Sequence, residues 1–391
     1  MSPLCESFVP PERFDAMEPF YPLHVRVCDH CLLVQLPEYV APDEIFTEYA
    51  YFSAYSDSWV EHARRYAEAM IERYDLGPRS RVVEIASNDG YLLQHFVARG
   101  IPVLGVEPAR NVAEAARERG VPSVSVFFGA ATARDLVEEH GHADLLPANN
   151  VLAHVPDIND FVEGLAILLA PHGVATLEFP HLLRLIEGNQ FDTIYHEHYS
   201  YLSLHAVEQI FAAHGLRVAD VEELPTHGGS LRLYARHGAD ALEPESQRVR
   251  VLRDLEHEHG LDRLDGYHGF RPRVEATKRR LLDFLISARD AGRRVVGYGA
   301  PGKGNTLLNF CGIRTDLLEY TVDRNPYKHG LALPGTRIPI HPPEHLDEDA
   351  PDFVLILPWN LRDEIAAQLR HLRDGGTQLI VPIPSVEVVS T

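Results

Sequence analysis

Two separate series of alternating strand and helix signals constrain this chain more than any other feature. In the first, strands are predicted at residues 81–86, 101–107, 124–128, 144–151 and 174–179, with helices at 91–98, 111–119, 131–139, 161–170 and 205–214. Two last strands, 216–223 and 230–236, flank Thr226-His227-Gly228-Gly229. Parallel strands need crossover connections, and helices supply them, so this alternation predicts a doubly wound, mostly parallel α/β sheet. A second β-α series opens at residues 293–297 and runs to the end of the chain. Ahead of the first series, Trp59, Ala63, Tyr66, Ala67, Met70 and Tyr74 recur at helical spacing until Gly77-Pro78 stops them. Residues 1–57 are irregular and rich in Pro, Tyr and Phe, and residues 241–291 are charged and largely helical. The expected division is a small N-terminal module (1–57), a first α/β domain (58–240) and a second one (241–391).

Composition narrows the partners. Of 391 residues 45% are hydrophobic, enough for two cores, and 36 Lys+Arg against 57 Asp+Glu give a net charge of −21. A surface this acidic repels phosphate backbones, which argues against a nucleic-acid partner. No stretch approaches the roughly 18 apolar residues of a membrane span, and the N-terminus has no basic region followed by an apolar run, so a cytoplasmic location is expected. Four cysteines, Cys5, Cys28, Cys31 and Cys311, are too few for a disulfide scaffold.

The first strand runs into Val82-Val83-Glu84-Ile85-Ala86-Ser87-Asn88-Asp89-Gly90. Small residues in a strand-to-helix turn let backbone approach a ligand that a bulky Cβ would exclude. Ala86 and Asn88 stand where the glycine-rich nucleoside-binding loops that this turn resembles have glycines, and Asn tolerates left-handed backbone angles. Glu107, 23 residues after Glu84, follows the second strand, where an acid can accept both ribose hydroxyls of a nucleoside. The first loop lacks the G-x-G-x-x-G pattern that a nicotinamide site prefers.

Three further segments carry chemistry. Beyond the strand ending in Glu178-Phe179-Pro180-His181 comes Tyr195-His196-Glu197-His198-Tyr199, at the strand-end position where open α/β sheets bind ligands. By residue type this is an acid–base site, a hydrogen-bonding loop or a metal site, the last lacking a distant third ligand. Gly297, Gly299 and Gly302 spell G-x-G-x-x-G between a strand and a helix, followed by Lys303 and Asn305, with Lys328 in a later turn. That pattern points to a phosphate-facing loop or to a domain that only packs; no acidic residue stands in clear ribose register for a second dinucleotide site. Cys28 and Cys31 form one Cys-x-x-Cys pair between two short β-like runs, half of a four-ligand zinc set, and two buried cysteines in a hairpin are the alternative.

The loop at residues 84–90 resembles that of class I S-adenosyl-L-methionine-dependent methyltransferases. Together with Ala148-Asn149-Asn150-Val151-Leu152-Ala153-His154, residues 195–198 and His227-Gly228-Gly229, it resembles the sugar C-methyltransferases of deoxysugar biosynthesis over nearly the whole chain. Members of that family methylate C3 of a thymidine-diphosphate 4-keto-6-deoxysugar. The resemblance implies a class I methyltransferase core, a second Rossmann-like C-terminal domain and a small zinc-type N-terminal module. It implies S-adenosyl-L-methionine as cofactor, held by Glu84, Ala86, Asn88, Gly90, Glu107 and Asn149. It makes His198 the general base, puts Tyr195 and Glu197 beside it, and places His154 near the reacting carbon. Tyr49, Tyr51 and His227 would line the substrate site, and the C-terminal domain, through Gly299, Lys303, Asn305 and Lys328, would carry the nucleotide sugar. The family's zinc module has two Cys-x-x-Cys pairs where this chain has one, and its first residues, Met1-Ser2-Pro3-Leu4, resemble the segment just after the first pair. The expectation is therefore a chain starting downstream of the family's start, or a module without its first pair, with zinc held poorly. The expected assembly is a monomer or small homo-oligomer. An O- or N-methyltransferase, which needs no base that attacks a C–H bond, and a non-catalytic nucleotide-binding protein are the alternatives.

Overall fold

The computed structural model describes residues 1–41, 57–240 and 243–389. They form two compact units, each discontinuous in sequence. One comprises Val27–Leu182 and Glu197–Leu264, the other Met1–Arg26, Leu183–His196 and Asp265–Thr391.

The first unit is built on seven strands: β1 (Val82–Ile85), β2 (Val103–Val106), β3 (Ser123–Val124), β4 (Ala143–Asn149), β5 (Leu169–Pro180), β6 (Leu216–Leu224) and β7 (Ser230–His237). Their order in the sheet is β3-β2-β1-β4-β5-β7-β6. The first five are parallel, and β7 enters antiparallel between β5 and β6. This is the class I methyltransferase sheet, and the last two predicted strands form its antiparallel end. Alternate strand residues serve opposite faces. Val83, Leu146, Ala175 and Leu233 pack on one face with Phe161, Leu165 and Phe211. Val82, Leu145, Val174 and Tyr234 pack on the other with Tyr66, Met70, Leu93 and Phe96. Burial on both faces explains why β1 reads as an unbroken apolar run around one acid, Glu84.

The helices of this unit are α1 (Asp57–Tyr74), α2 (Leu93–Val97), α3 (Arg110–Glu118), α4 (Ala130–His140), α5 (Ile158–Leu168), α6 (Leu204–Ala213) and α7 (Gln247–Glu258). Side-chain caps start three of them: Asp157 accepts from the Asp160 amide, Ser203 from Ala206 and Ser246 from Val249. The predicted elements are present with shifted ends. β3 is two residues long, and β5 starts five residues earlier than the apolar pattern showed. Near the chain start, Val34–Gln35 pairs antiparallel with Ser200–Tyr201.

The second unit has strands β8 (Val295–Tyr298), β9 (Thr321–Val322), β10 (Ile340–His341), β11 (Phe353–Ile356), β12 (Gln378–Val381) and β13 (Glu387–Val388), in the order β10-β9-β8-β11-β12-β13. All pairs are parallel except β12–β13. The order reverses between β8 and β11, the Rossmann switch point. Helices α8 (Phe270–Asp290) and α9 (Gly302–Cys311) pack on this sheet through Leu281, Leu285, Leu307 and Leu308.

Candidate active site

The loop after β1 turns through three left-handed residues, Ala86 (φ 56°), Asn88 (φ 48°) and Gly90 (φ 78°). Gly90 has no substitute: a Cβ there would sit 2.9 Å from Val121 Cγ2. Ala86 costs about 1–2 kcal/mol in this conformation, so the surrounding contacts must hold it. Glu107, following β2, provides the clamp. Its two carboxylate oxygens accept from the Asn88 amide (3.0 Å) and the Ala109 amide (2.9 Å). Each oxygen keeps a further lone pair for a ribose hydroxyl.

The site is strongly acidic. Glu84 is 1% exposed, and its Oε2 has no hydrogen-bond partner among the described residues. Burial, followed by repulsion from Glu107, Asp89 and Glu178, pushes its pKa well above the usual carboxylate range. Asn149, at the end of β4, has its Oδ1 buried without a partner among the described residues. A buried, unsatisfied carboxylate beside three other acids suits a cationic ligand. S-adenosyl-L-methionine carries groups of that kind: a sulfonium, an ammonium and ribose hydroxyls.

A cluster of rings lies at the same, carboxyl edge of the sheet. His154 occupies the Leu152–His154 turn after β4, and its ring meets His198 edge-on at 4.7 Å. His198 also meets Tyr201 edge-on at 6.1 Å. Burial drives the His154 pKa down to about 4; repulsion from His227 adds to this, and a hydrogen bond to the Glu197 backbone opposes it. His154 is therefore neutral near pH 7. That bond favours the protonated ring, so the ring is its donor, and His154 holds the backbone immediately before His198.

His227 sits in the Thr226–Gly228 turn at φ 55° and meets Trp59 edge-on at 5.4 Å. The wall behind it carries no local sequence signal. Trp59 stacks on His62 at 4.9 Å, and His62 Nε2 lies 2.9 Å from Glu178 Oε2. Arg232 Nε donates to Glu178 Oε1 at 2.7 Å. Burial opposes ionisation of Glu178, but His62 and Arg232 outweigh it and hold the carboxyl below its ordinary value.

Glu197 and His198 thus share one unit with His154 and His227, whereas Tyr195 and His196 belong to the other. There His196 is structural: Nε2 bonds the Pro22 carbonyl at 3.1 Å and the ring meets Tyr21. Tyr49 and Tyr51 lie outside the described residues.

In the second unit the glycine loop has the predicted strand-to-helix setting, but its mouth is filled from within. A Cβ on Gly302 would lie 2.9 Å from Cys5 Sγ and 3.1 Å from Glu6 Oε1. Lys328 Nζ is 3.8 Å from Glu6 Oε2 and donates to the Ala300 carbonyl, while Asn305 Nδ2 donates to the Cys5 carbonyl. Lys303 instead faces the switch point: its Nζ donates to Asn360 Oδ1 (2.8 Å) and lies 4.7 Å from the Trp359 ring. Trp359 Nε1 donates to the buried Asp192. The structure also corrects the absence of a ribose-register acid. Asp323 directly follows β9 and accepts from the Ala300 and Asn325 amides, the same pattern by which Glu107 holds Asn88 and Ala109.

Cys28 and Cys31 lie in a turn in which the Cys28 amide donates to the Leu33 carbonyl and the Leu32 amide to the Cys28 carbonyl. The Cys31 and His30 amides point at the Cys28 sulfur and lower its pKa. Among the described residues no third His, Cys, Asp or Glu joins them, and Cys5 is packed against Gly302 in the other unit. A closed tetrahedral zinc set is not met by these residues.

Family models match the chain along its length: "Putative zinc binding domain" at residues 1–46, "Methyltransferase domain" at 59–221 and "C-methyltransferase C-terminal domain" at 225–384. C-methyltransferase NovU of Streptomyces niveus is 36% identical over 389 residues, covering 100% of this chain and 92% of that protein. The chain belongs to the C-methyltransferase family. As a member it is an S-adenosyl-L-methionine-dependent methyltransferase. Similarity to O-methyltransferases is narrower: the ubiquinone biosynthesis O-methyltransferase of Bartonella bacilliformis is 29% identical over 101 residues, 25% of this chain and 41% of that protein. The S-adenosylhomocysteine-bound magnesium protoporphyrin IX methyltransferase of Synechocystis PCC 6803 aligns with 45% of this chain and 82% of its own, at 14% identity and a TM-score of 0.36. No described helix is long and apolar enough to cross a membrane.

Proposed function

We propose that this C-methyltransferase acts on a nucleotide-linked 4-keto-6-deoxysugar, with His198 removing the proton from the carbon next to the ketone. The observation that carries this reading is the His198 ring, packed on a neutral His154 at the carboxyl edge of a methyltransferase sheet. Methylation at carbon needs a carbanion equivalent, and a ketone makes the adjacent C–H acidic enough for imidazole. S-adenosyl-L-methionine supplies the electrophilic methyl group. Around it, Glu107 receives the ribose, and the buried Glu84 and Asn149 acceptors receive its cationic end. His154 donates to the Glu197 backbone and so fixes the segment entering His198. His227 and Trp59 form an aromatic wall for the sugar, and Lys303 at the second switch point supports a role for that unit in holding the diphosphate.

The test is His198→Asn, assayed with thymidine-diphosphate 4-keto-6-deoxyglucose and labelled S-adenosyl-L-methionine. General-base loss lowers methyl transfer by about 10²–10⁴-fold, with cofactor affinity retained. Solvent exchange of the proton next to the ketone should stop as well. Exchange that continues while transfer fails moves the base elsewhere, and near-normal turnover removes His198 from the mechanism.

A further inference from the structure

We propose that Glu256 is a positioning residue for methyl transfer: one buried carboxylate that sets the segments carrying His198 and His227. This rests on the reading of His198 as base. Glu256 lies near the end of α7, a helix that contributes no other described group to the site. Its side chain is 2% exposed. Oε1 accepts from His181 Nε2 (2.7 Å) and from the Leu204 amide (2.7 Å), and Oε2 accepts from the His205 amide (2.9 Å). None of the three donors is on α7; all belong to segments at the carboxyl edge of the sheet.

Each bond leads toward the site. Leu204 and His205 open α6, six and seven residues after His198, and the carboxylate caps the helix N-terminus there. In the same segment the Leu182 amide donates to the Leu202 carbonyl (3.0 Å) and the Tyr199 amide to the Ala153 carbonyl (2.8 Å), next to His154. His181 donates its own amide to the Gly229 carbonyl (3.0 Å), two residues from His227. His227 stands at φ 55°, a conformation a non-glycine residue keeps only when its surroundings impose it. Removing the carboxylate would leave two amides and an imidazole without an acceptor in a dry setting, and the loops would move to find water. A displacement of about 1 Å at a reacting group costs about 10²-fold in rate.

The experiment compares Glu256→Ala and Glu256→Gln with the wild type and with His198→Asn. Glu256→Ala should lower kcat about 10²-fold, with the S-adenosyl-L-methionine Kd within about threefold and a folded protein at assay temperature. Glu256→Gln keeps one oxygen for Leu204 and His181 but turns an NH2 toward the His205 amide, so it should recover about tenfold of that loss. In the double variant with His198→Asn, the Glu256→Ala loss should shrink to less than about tenfold, because the part acting through His198 cannot slow a reaction His198 no longer drives and only the part acting through His227 remains. A kcat within threefold of wild type in Glu256→Ala overturns the proposal. So does a loss matched by lost cofactor affinity, or one that adds fully to that of His198→Asn. If His198→Asn alone is near normal, the base assignment fails by itself, and the kcat loss and Gln rescue still decide whether Glu256 positions the site.

Discussion

Glu84 offers the sharpest test of how this site is built, because its environment is costly without a cation. Burial and three neighbouring acids raise its pKa well above the ordinary carboxylate value. An acid raised in the folded state keeps its proton after the unfolded chain has lost it. Its contribution to stability is therefore fully present below the ordinary carboxylate range and is lost as pH rises through the folded value. The limiting slope is about 1.4 kcal/mol per pH unit for one proton. Glu84→Gln keeps size and polarity but cannot ionise, so it should erase that slope. Glu107 and Asp192 are also raised, so the quantity to measure is the difference between wild type and variant, by denaturant titration from pH 4.5 to 8 without cofactor. The Gln protein should become progressively the more stable of the two as pH rises. Its S-adenosyl-L-methionine affinity should fall, because a charge-assisted bond worth roughly 1.5–3 kcal/mol is gone, about 10- to 150-fold in Kd. Calorimetry in buffers of different ionisation enthalpy should show the wild type, and not the variant, releasing a proton as the cationic ligand binds. Parallel pH–stability curves together with unchanged affinity would refute the argument.

Glu107→Ala should weaken cofactor binding and also lower stability, since the Asn88 and Ala109 amides lose their acceptor at roughly 1–3 kcal/mol each; calorimetry and denaturant melts of the same preparation separate the two effects. Asp192, fully buried with a pKa raised to about 6, should make the protein lose stability as pH rises through 6. Asp192→Asn keeps an acceptor for Trp359 and should recover about 3 kcal/mol at most at pH 7, read as the change in denaturation midpoint. Lys303→Ala should raise the KM for the nucleotide sugar about tenfold, as expected for one charged contact, with cofactor affinity unchanged; an unaltered KM would take Lys303 out of the substrate site. Elemental analysis should find well under one zinc per chain, and a tightly held stoichiometric zinc would show that Cys28 and Cys31 have partners beyond the described residues.

What the sequence disclosed and what it hid divide along physical lines. Periodicity and turn chemistry are local, so the strands of the first sheet, the opening strand of the second, the left-handed turn at Ala86–Gly90 and the acid after the second strand were readable. His62 was not: it sits on the predicted helix beside Trp59, and what singles it out is Glu178, 116 residues away. Glu256 was hidden in the same way inside a run of charged residues, its partners 51 to 75 residues upstream. Asp323 escaped because β9 is only two residues long and gives almost no strand signal, yet its bonds to Ala300 and Asn325 repeat those of Glu107. The G-x-G-x-x-G pattern was legible, but a glycine records only that something comes close. At Gly302 what comes close is Cys5 and Glu6 of the same chain. A carboxylate beside a helix N-terminus with Lys328 in reach has the chemistry of a bound phosphate. The two Rossmann-like loops therefore share a frame and differ in use. The first keeps acceptors open, with Glu84 Oε2 and Asn149 Oδ1 unpartnered among the described residues. In the second, Lys328 already faces an internal anion, and Lys303 at the switch point is the cation better placed for an external one.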